Sequence, residues 1–189
     1  MKITKNLIAI LLLAFSLVLS ACGNDQTKEK PQESEENHGG MDHGDMNHSG
    51  SGEVPEGLKN ADNPTFKVDS KAIIKANHME GMDGAEATIV GAYDTTVYTV
   101  SYTPTTGGKK VTNHKWVIHE EIKDAGDKPL AAGTEAVLNA DHMKGMKGAK
   151  AVIDSAEQTT VYMVDYTPTT GGEKVTNHKW VTESELSAE

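Results

Sequence analysis

From Lys71 onward the chain alternates short β-branched or aromatic runs with polar connections rich in Pro and Gly, and it writes that pattern twice. Ala72 to Lys123 aligns with Ala136 to Ser187 at a constant offset of 64 residues, without a gap. Thr95-Thr96-Val97-Tyr98 returns as Thr159-Thr160-Val161-Tyr162, and Lys110 through Val117 returns as Lys174 through Val181. Self-similarity at such a period marks a duplicated structural unit. Beyond the leader, 19 Val and Ile stand against four Leu, a bias that favours strands. The pattern predicts strands over Lys71–Ala76, Ala85–Ala92, Thr96–Thr103 and Lys110–His119, and again at their equivalents. Tyr93-Asp94-Thr95 reads as a tight connection and Pro104-Thr105-Thr106-Gly107-Gly108 as a turn. In the third strand Tyr98, Val100 and Tyr102 share one face, and Val97, Thr99 and Ser101 the other. Alternation groups His114 and Trp116 with Thr112 and Ile118, but neither face of that strand is purely apolar.

The expected fold is therefore all-β: two tandem small SH3-like, partly closed barrels, with an open four-stranded sheet as the alternative. The first repeat domain covers residues 66–124 and the second 135–189, with 125–134 between them. Each unit is short, so each core should be small.

The chain begins differently. Lys2 and Lys5 precede an apolar run from Leu7 to Val18, too short to span a bilayer and well suited to a secretory signal over residues 1–21. Leu19-Ser20-Ala21-Cys22 resembles the bacterial lipobox, which implies cleavage before Cys22 and a lipid on its new N-terminus. An ordinary signal with a coincidental Cys is the alternative. Residues 22–65 hold few aliphatic side chains and read as a disordered tether with an r.m.s. reach of roughly 35 Å. The expected location is the outer face of the cell membrane, anchored and not spanning.

Composition narrows the function. All 18 basic residues are Lys, against 28 acidic residues, for a formal net charge of −10, which argues against nucleic-acid binding. The one Cys leaves no disulfide framework, no Cys-based zinc site and no blue-copper centre. No nucleophile–base pair has a recognisable context, so no enzyme is expected.

The placement of His and Met is informative. Past the leader there are seven Met and eight His. Five of them, His38, Met41, His43, Met46 and His48, crowd one tract of the tether. Six form a doubled motif, His78-Met79-Glu80-Gly81-Met82 and His142-Met143-Lys144-Gly145-Met146. His114 and His178 recur in Asn-His-Lys-Trp. Thioether sulfur is soft and needs no deprotonation, so it suits Cu(I) or Ag(I) and serves Zn²⁺ or Ca²⁺ poorly. Imidazole completes a two- or three-coordinate site, or takes Cu(II). Gly81, Gly84, Gly145 and Gly148 would leave the backbone free to wrap His, Met and Met about one ion. The expected ligands are His78, Met79 and Met82, with His142, Met143 and Met146, two equivalent sites that His114 and His178 could complete. Trp116 and Trp180 read as core residues, or as ring faces capping the ion.

Lipobox, His/Met tether and the doubled unit His-Met-x-Gly-Met, Thr-Val-Tyr, Tyr-Thr-Pro, Asn-His-Lys-Trp-Val together resemble the YdhK/CopL-type bacterial surface lipoproteins over nearly the whole chain. The resemblance implies a copper-binding envelope lipoprotein of a Gram-positive bacterium, and the chain is expected to be a monomer. It also implies a contribution to copper resistance beside copper-exporting ATPases or other envelope copper proteins. The ligand set is similar to that of small periplasmic copper/silver chaperones of another fold, a likeness of chemistry alone. From a different class, a cell-wall or peptide-binding module would present Tyr98, Tyr102 and Trp116 along a groove.

Overall fold

In the computed structural model, which describes residues 49–189, the β-branched runs form one eight-stranded antiparallel sheet, and these residues contain no α-helix. The strands are β1 (Lys59–Asn60), β2 (Lys71–Ile74), β3 (Glu86–Tyr102), β4 (Val111–Ile118), β5 (Glu135–Val137), β6 (Lys150–Tyr166), β7 (Val175–Thr182) and β8 (Leu186–Ser187). Short 3₁₀ turns at His119–Glu121 and Glu183–Glu185 follow β4 and β7.

The all-β expectation holds, but the expected second and third strands of each copy are one strand. β3 and β6 each run for 17 residues. Tyr93-Asp94-Thr95 stays extended because it has a partner: Tyr93 pairs with Val161, Asp94 with Thr160 and Thr95 with Thr159. The Asp94 carboxylate accepts a hydrogen bond from Thr160 Oγ1 at 2.8 Å, across the ladder and not within a turn. Thr95 and Thr159 are equivalent positions of the two copies, so an approximate two-fold axis passes between them. The ladder shifts register at Val90 and again at Asp154, which are also equivalent positions. An extra residue of this kind adds local twist to a long ribbon.

Each long strand changes its second neighbour halfway. The first half of β3 pairs with β2 and its second half with β4; the first half of β6 pairs with β5 and its second half with β7. The path β5-β6-β3-β2-β8 ends on two short strands, so the sheet is open and neither copy closes into a barrel of its own. The two cores are correspondingly mixed. One gathers Ile74, Met82 and Ile89 of the first copy with Tyr162, Val164 and Tyr166 of the second. The other gathers Tyr98, Val100 and Tyr102 of the first with Leu138, Met146 and Ile153 of the second. Between them lies a third cluster of Val97, Trp116, Ile118, Val161, Met163 and Trp180. The sequence repeats once every 64 residues, yet each packed core takes the opening half of one repeat and the closing half of the other.

Alternation along β3 is as expected, with Tyr98, Val100 and Tyr102 in one core and Val97 in the central cluster. It fails along β4 for a local reason. Asn113 has φ of 50° and Asn177 of 51°, left-handed conformations that Asn tolerates better than most residues. The ladder shifts there, and the Lys115–Trp116 and Lys179–Trp180 peptide bonds are cis. His114 lies edge-on to Tyr102, with ring centroids 5.9 Å apart, while Trp116 joins the central cluster.

Candidate metal centre

The His-Met-x-Gly-Met segments are single turns between the first two strands of each copy. Met82 N–H donates to the Met79 carbonyl at 3.3 Å, and Met146 N–H to Met143 at 3.1 Å. The glycine inside each turn has φ of 74° at Gly81 and 81° at Gly145. Its lack of a side chain also admits the Tyr-Thr-Pro-Thr-Thr turn of the other copy. Thr169 N–H donates to the Gly81 carbonyl at 2.8 Å, and Thr105 N–H to Gly145 at 2.9 Å. A Cβ on Gly81 would stand 2.6 Å from Thr170 Oγ1, and one on Gly145 2.6 Å from Thr106 Oγ1. The glycines thus serve the docking of one copy on the other.

This docking sends the two methionines of each motif into different settings. Met82 and Met146 are fully buried, one in each apolar core. Met79 is partly buried against the first core, and Met143 is half-buried.

The histidines of the motifs meet carboxylates from the opposite copy. His78 Nε2 lies 2.7 Å from Glu185 Oε1, and His142 Nε2 lies 2.7 Å from Glu121 Oε1. Each carboxylate is held by two further donors. Glu185 Oε2 accepts from Trp116 Nε1 at 2.8 Å and from Thr182 N–H at 3.1 Å. Glu121 Oε2 accepts from Trp180 Nε1 at 3.1 Å and from Ile118 N–H at 3.2 Å. Burial alone would raise the Glu185 carboxyl, but the hydrogen bond and charge of His78, with Thr182 N–H and Trp116, bring it down to about 2. It is a carboxylate at any physiological pH. A histidine whose Nε2–H is engaged by a carboxylate is fixed in one tautomer, and its Nδ1 lone pair is directed elsewhere.

His114 sits close enough to feel both motif histidines. Burial first, then His142 and His78, hold its imidazole well below the usual range, at about 3, so it is neutral. Its Nε2 is buried and has no hydrogen-bond partner. His178, its equivalent, is buried edge-on to Tyr166 at 5.8 Å. His114 thus faces the same layer as the motif histidines, and His178 packs at the equivalent strand position of the second repeat. Among the described residues no three His, Cys, Asp or Glu side chains are already arranged about a single point as for a metal ion.

The indole groups serve the carboxylates through Nε1, and their faces are occupied. Lys115 Nζ lies 4.9 Å from the Trp116 ring and Lys179 Nζ lies 5.8 Å from the Trp180 ring, so lysine ammonium takes the place of a capped ion. Tyr98, Tyr102 and Trp116 are all buried, and Tyr102 contributes to the lining of an open cavity of about 640 Å³ beside Ser101, Thr103 and Ala136. The tether ligands His38, Met41, His43, Met46 and His48, and the lipidation residue Cys22, lie outside the described residues.

Sequence reasoning missed Glu121 and Glu185. They are equivalent at the 64-residue offset, as are the two histidines they hold, and that recurrence was the signal available. It was hidden because each Glu serves the histidine of the other copy.

The family model described as a protein of unknown function, DUF1541, matches twice, over residues 68–119 and 132–183. The chain is 63% identical over 190 residues to the uncharacterized protein YdhK of Bacillus subtilis strain 168, covering all of this chain and 91% of that one. A crystal structure of that DUF1541 protein superposes with a TM-score of 0.75 at 69% identity, over 78% of this chain and all of the other. A solution structure of the ydhK C-terminal domain gives 0.63 at 71% identity, over 66% of this chain and 94% of that domain.

Proposed function

The chain belongs to the DUF1541 family, and from the chemistry of its histidine layer we propose that it is a copper-binding protein of the cell envelope. In this reading it is anchored through a lipid on Cys22 at the extracytoplasmic face and performs no catalysis. It sequesters or buffers Cu(I), with Ag(I) or Cu(II) as further ions, and so contributes to copper resistance. A copper-exporting ATPase or another envelope copper protein is the natural donor or acceptor.

The observation that carries the reading is His114 Nε2, buried and without a hydrogen-bond partner, on an imidazole that feels the charge of both His142 and His78. A buried imidazole nitrogen without a partner loses a hydrogen bond worth about 1–3 kcal/mol, and a bound ion would restore it. The His–Glu pairs supply what metal-ligating histidines ordinarily have, a carboxylate on the far nitrogen. The absence of a three-ligand His, Asp or Glu cluster among the described residues disfavours zinc. It leaves room for a soft ion of low coordination number served by imidazole and thioether. Met79 and Met143 are the thioethers within reach of the surface; Met82 and Met146 anchor the same turns to the cores.

The test is a competition titration of the mature chain with a chromogenic Cu(I) chelator, after replacing His38, Met41, His43, Met46 and His48 by Ser. Cu(I) should still bind. His78→Phe, His142→Phe and His114→Phe should each weaken it by about tenfold or more, as expected for loss of a ligand or its support. A tether-silenced chain that leaves all Cu(I) on the chelator overturns the assignment.

A further inference from the structure

One pair of equivalent surfaces differs in charge between the two copies. The open cavity of about 640 Å³ lies over the second core, which supplies Tyr102, Ala136 and Ala151 to its wall. Its charged residues are Lys110, Lys123, Lys150 and Glu135, an excess of positive charge in a chain whose formal net charge is −10. The three lysines are exposed, and none of them enters an ion pair among the described residues.

At the 64-residue offset the same four positions are Lys174, Ser187, Glu86 and Lys71. There the cations are neutralised. Lys174 Nζ lies 2.9 Å from Asp165, and Lys71 pairs with Glu86. Lys110 lacks such a partner because Ser101 stands where the other copy has Asp165. Ser101 Oγ still accepts Asn113 N–H at 3.2 Å, as Asp165 accepts Asn177 N–H at 2.7 Å, so the local structure is kept while the charge is lost. The same Oγ donates to Asp154 at 2.7 Å, and Asp154 does not line the cavity. The exchange of Lys71 and Glu86 for Glu135 and Lys150 is neutral in charge. Ser101 in place of Asp and Lys123 in place of Ser each make this surface more positive. The fold repeats, but one surface is cationic and concave where its counterpart is neutral and ion-paired.

A cavity of this volume has the size of a small-molecule site, and a concave surface of one sign concentrates ions of the other. Lys offers a compact charge with three rotatable donors, which suits tetrahedral phosphate. A planar carboxylate is better met by the fork of Arg, and the chain has no Arg. Ala136, Ala151 and the Tyr102 ring add an apolar wall for the carbon frame of a ligand, and Thr103 adds a hydroxyl. We propose that this cavity binds an organic phosphate, an ester or diester on a short carbon frame, held by Lys110, Lys123 and Lys150. The ester could be free or the headgroup of a lipid; the chemistry recognised is the same. None of the motif histidines or their carboxylates takes part, so the inference does not rest on the copper reading.

The experiment is an NMR titration of the complete mature chain, metal-free and at constant ionic strength, with amide shifts followed for each probe. The probes are glycerol 2-phosphate, inorganic phosphate, citrate and soluble dihexanoyl phosphatidylglycerol. Glycerol 2-phosphate should move the Thr103, Ala136 and Ala151 amides saturably and leave their equivalents Thr167, Ala72 and Ala87 in place. It should bind more tightly than inorganic phosphate, which gains nothing from the apolar wall. Lys110→Gln combined with Lys150→Gln should weaken it about tenfold, with amides elsewhere unshifted because both side chains are exposed. Tighter binding of dihexanoyl phosphatidylglycerol at the same amides identifies the lipid headgroup as the source, and tighter binding of glycerol 2-phosphate the free ester. Citrate or inorganic phosphate binding as tightly as either ester overturns the proposal. So do shifts that survive the double substitution, or equal movement at the equivalent surface.

Discussion

Gly145→Ala separates two reasons for a glycine in the His-Met-x-Gly-Met turn. If the residue serves backbone freedom around an ion, substitution should lower metal affinity and leave the metal-free protein little changed. The structure assigns it a different burden. At φ of 81° an L-residue costs about 1–2 kcal/mol. The new methyl would also meet Thr106 Oγ1 at 2.6 Å and Pro104 Cβ at 3.0 Å, both in a turn tied back to Gly145 through Thr105 N–H. Overpacking of that kind adds about 1–3 kcal/mol, and the smaller conformational freedom of Ala in the unfolded chain returns about 0.5 kcal/mol. The net loss is about 2–4 kcal/mol. Gly148→Ala is the matched control, since its φ is 80° but the nearest atom to its Cβ is Thr105 Cγ2 at 4.0 Å; its loss should be about 1 kcal/mol. Urea unfolding of both variants with excess chelator, followed by tryptophan fluorescence, measures the difference. Equal losses in the two variants would refute the docking argument.

Other consequences follow from the same geometry. In metal-free protein the His114 imidazole is neutral when folded, with a pKa near 3 against 6.5 unfolded, so the unfolded chain binds the extra proton as pH falls. This component of stability is complete above the unfolded value and should decline by about 2–3 kcal/mol on reaching about pH 4.5; His114→Phe should flatten the profile measured by urea unfolding. Glu185→Gln removes the charged acceptor of His78, Trp116 and Thr182 N–H, and should cost about 2 kcal/mol and shift the Trp116 emission, whereas Glu86→Gln on the exposed Lys71 pair should leave stability unchanged within error. Met82→Ala should cost about 2–5 kcal/mol in thermal or urea unfolding even without metal, and Met79→Ala clearly less, because only the first is fully buried. An isolated first repeat, residues 66–124, should sediment as a dimer in which two copies supply each other's missing half, and a folded monomer would contradict the mixed cores.

Much of the fold was legible because its determinants are local. β-Branched residues and Pro-Gly punctuation place the strand edges well, and alternation puts Tyr98, Val100 and Tyr102 on one side without any knowledge of partners. Asp94 misled, because a short acidic residue between two Thr reads as a turn until a second strand arrives to pair with it. The histidines of the layer were likewise legible as types in a recurring motif, and His114 and His178 as candidate additions to it. The carboxylates were not. Glu121 and Glu185 carry no motif around them, and each acts about 21 or 107 residues from the histidine it holds. Met82 and Met143 show the limit from the other side: thioethers four positions and one position after a motif histidine are equally plausible ligands in sequence, and only packing separates a buried anchor from a half-buried side chain.

The mixing of the copies also bears on why the duplication matters. A centre built within one repeat would function singly, and a second repeat would merely add capacity. Here His78 depends on Glu185 and His142 on Glu121, so neither repeat contains a complete His–carboxylate pair. Trp116 extends the dependence, because it belongs to the first repeat and lies in the central cluster yet donates to the carboxylate that holds His78. Any movement of one carboxylate is therefore felt by a histidine of one core and an indole between the cores. His114 adds a further link, because its imidazole feels the charge of both motif histidines. Two identical repeats folded in this way would still give two identical centres. The two copies are not identical, however: Glu80 and Asp83 at the His78 turn are Lys144 and Lys147 at the His142 turn, and Lys115 Nζ lies 3.7 Å from Glu185 while Lys179 Nζ donates to the Glu53 carbonyl, so the two His–carboxylate pairs sit in fields of different charge.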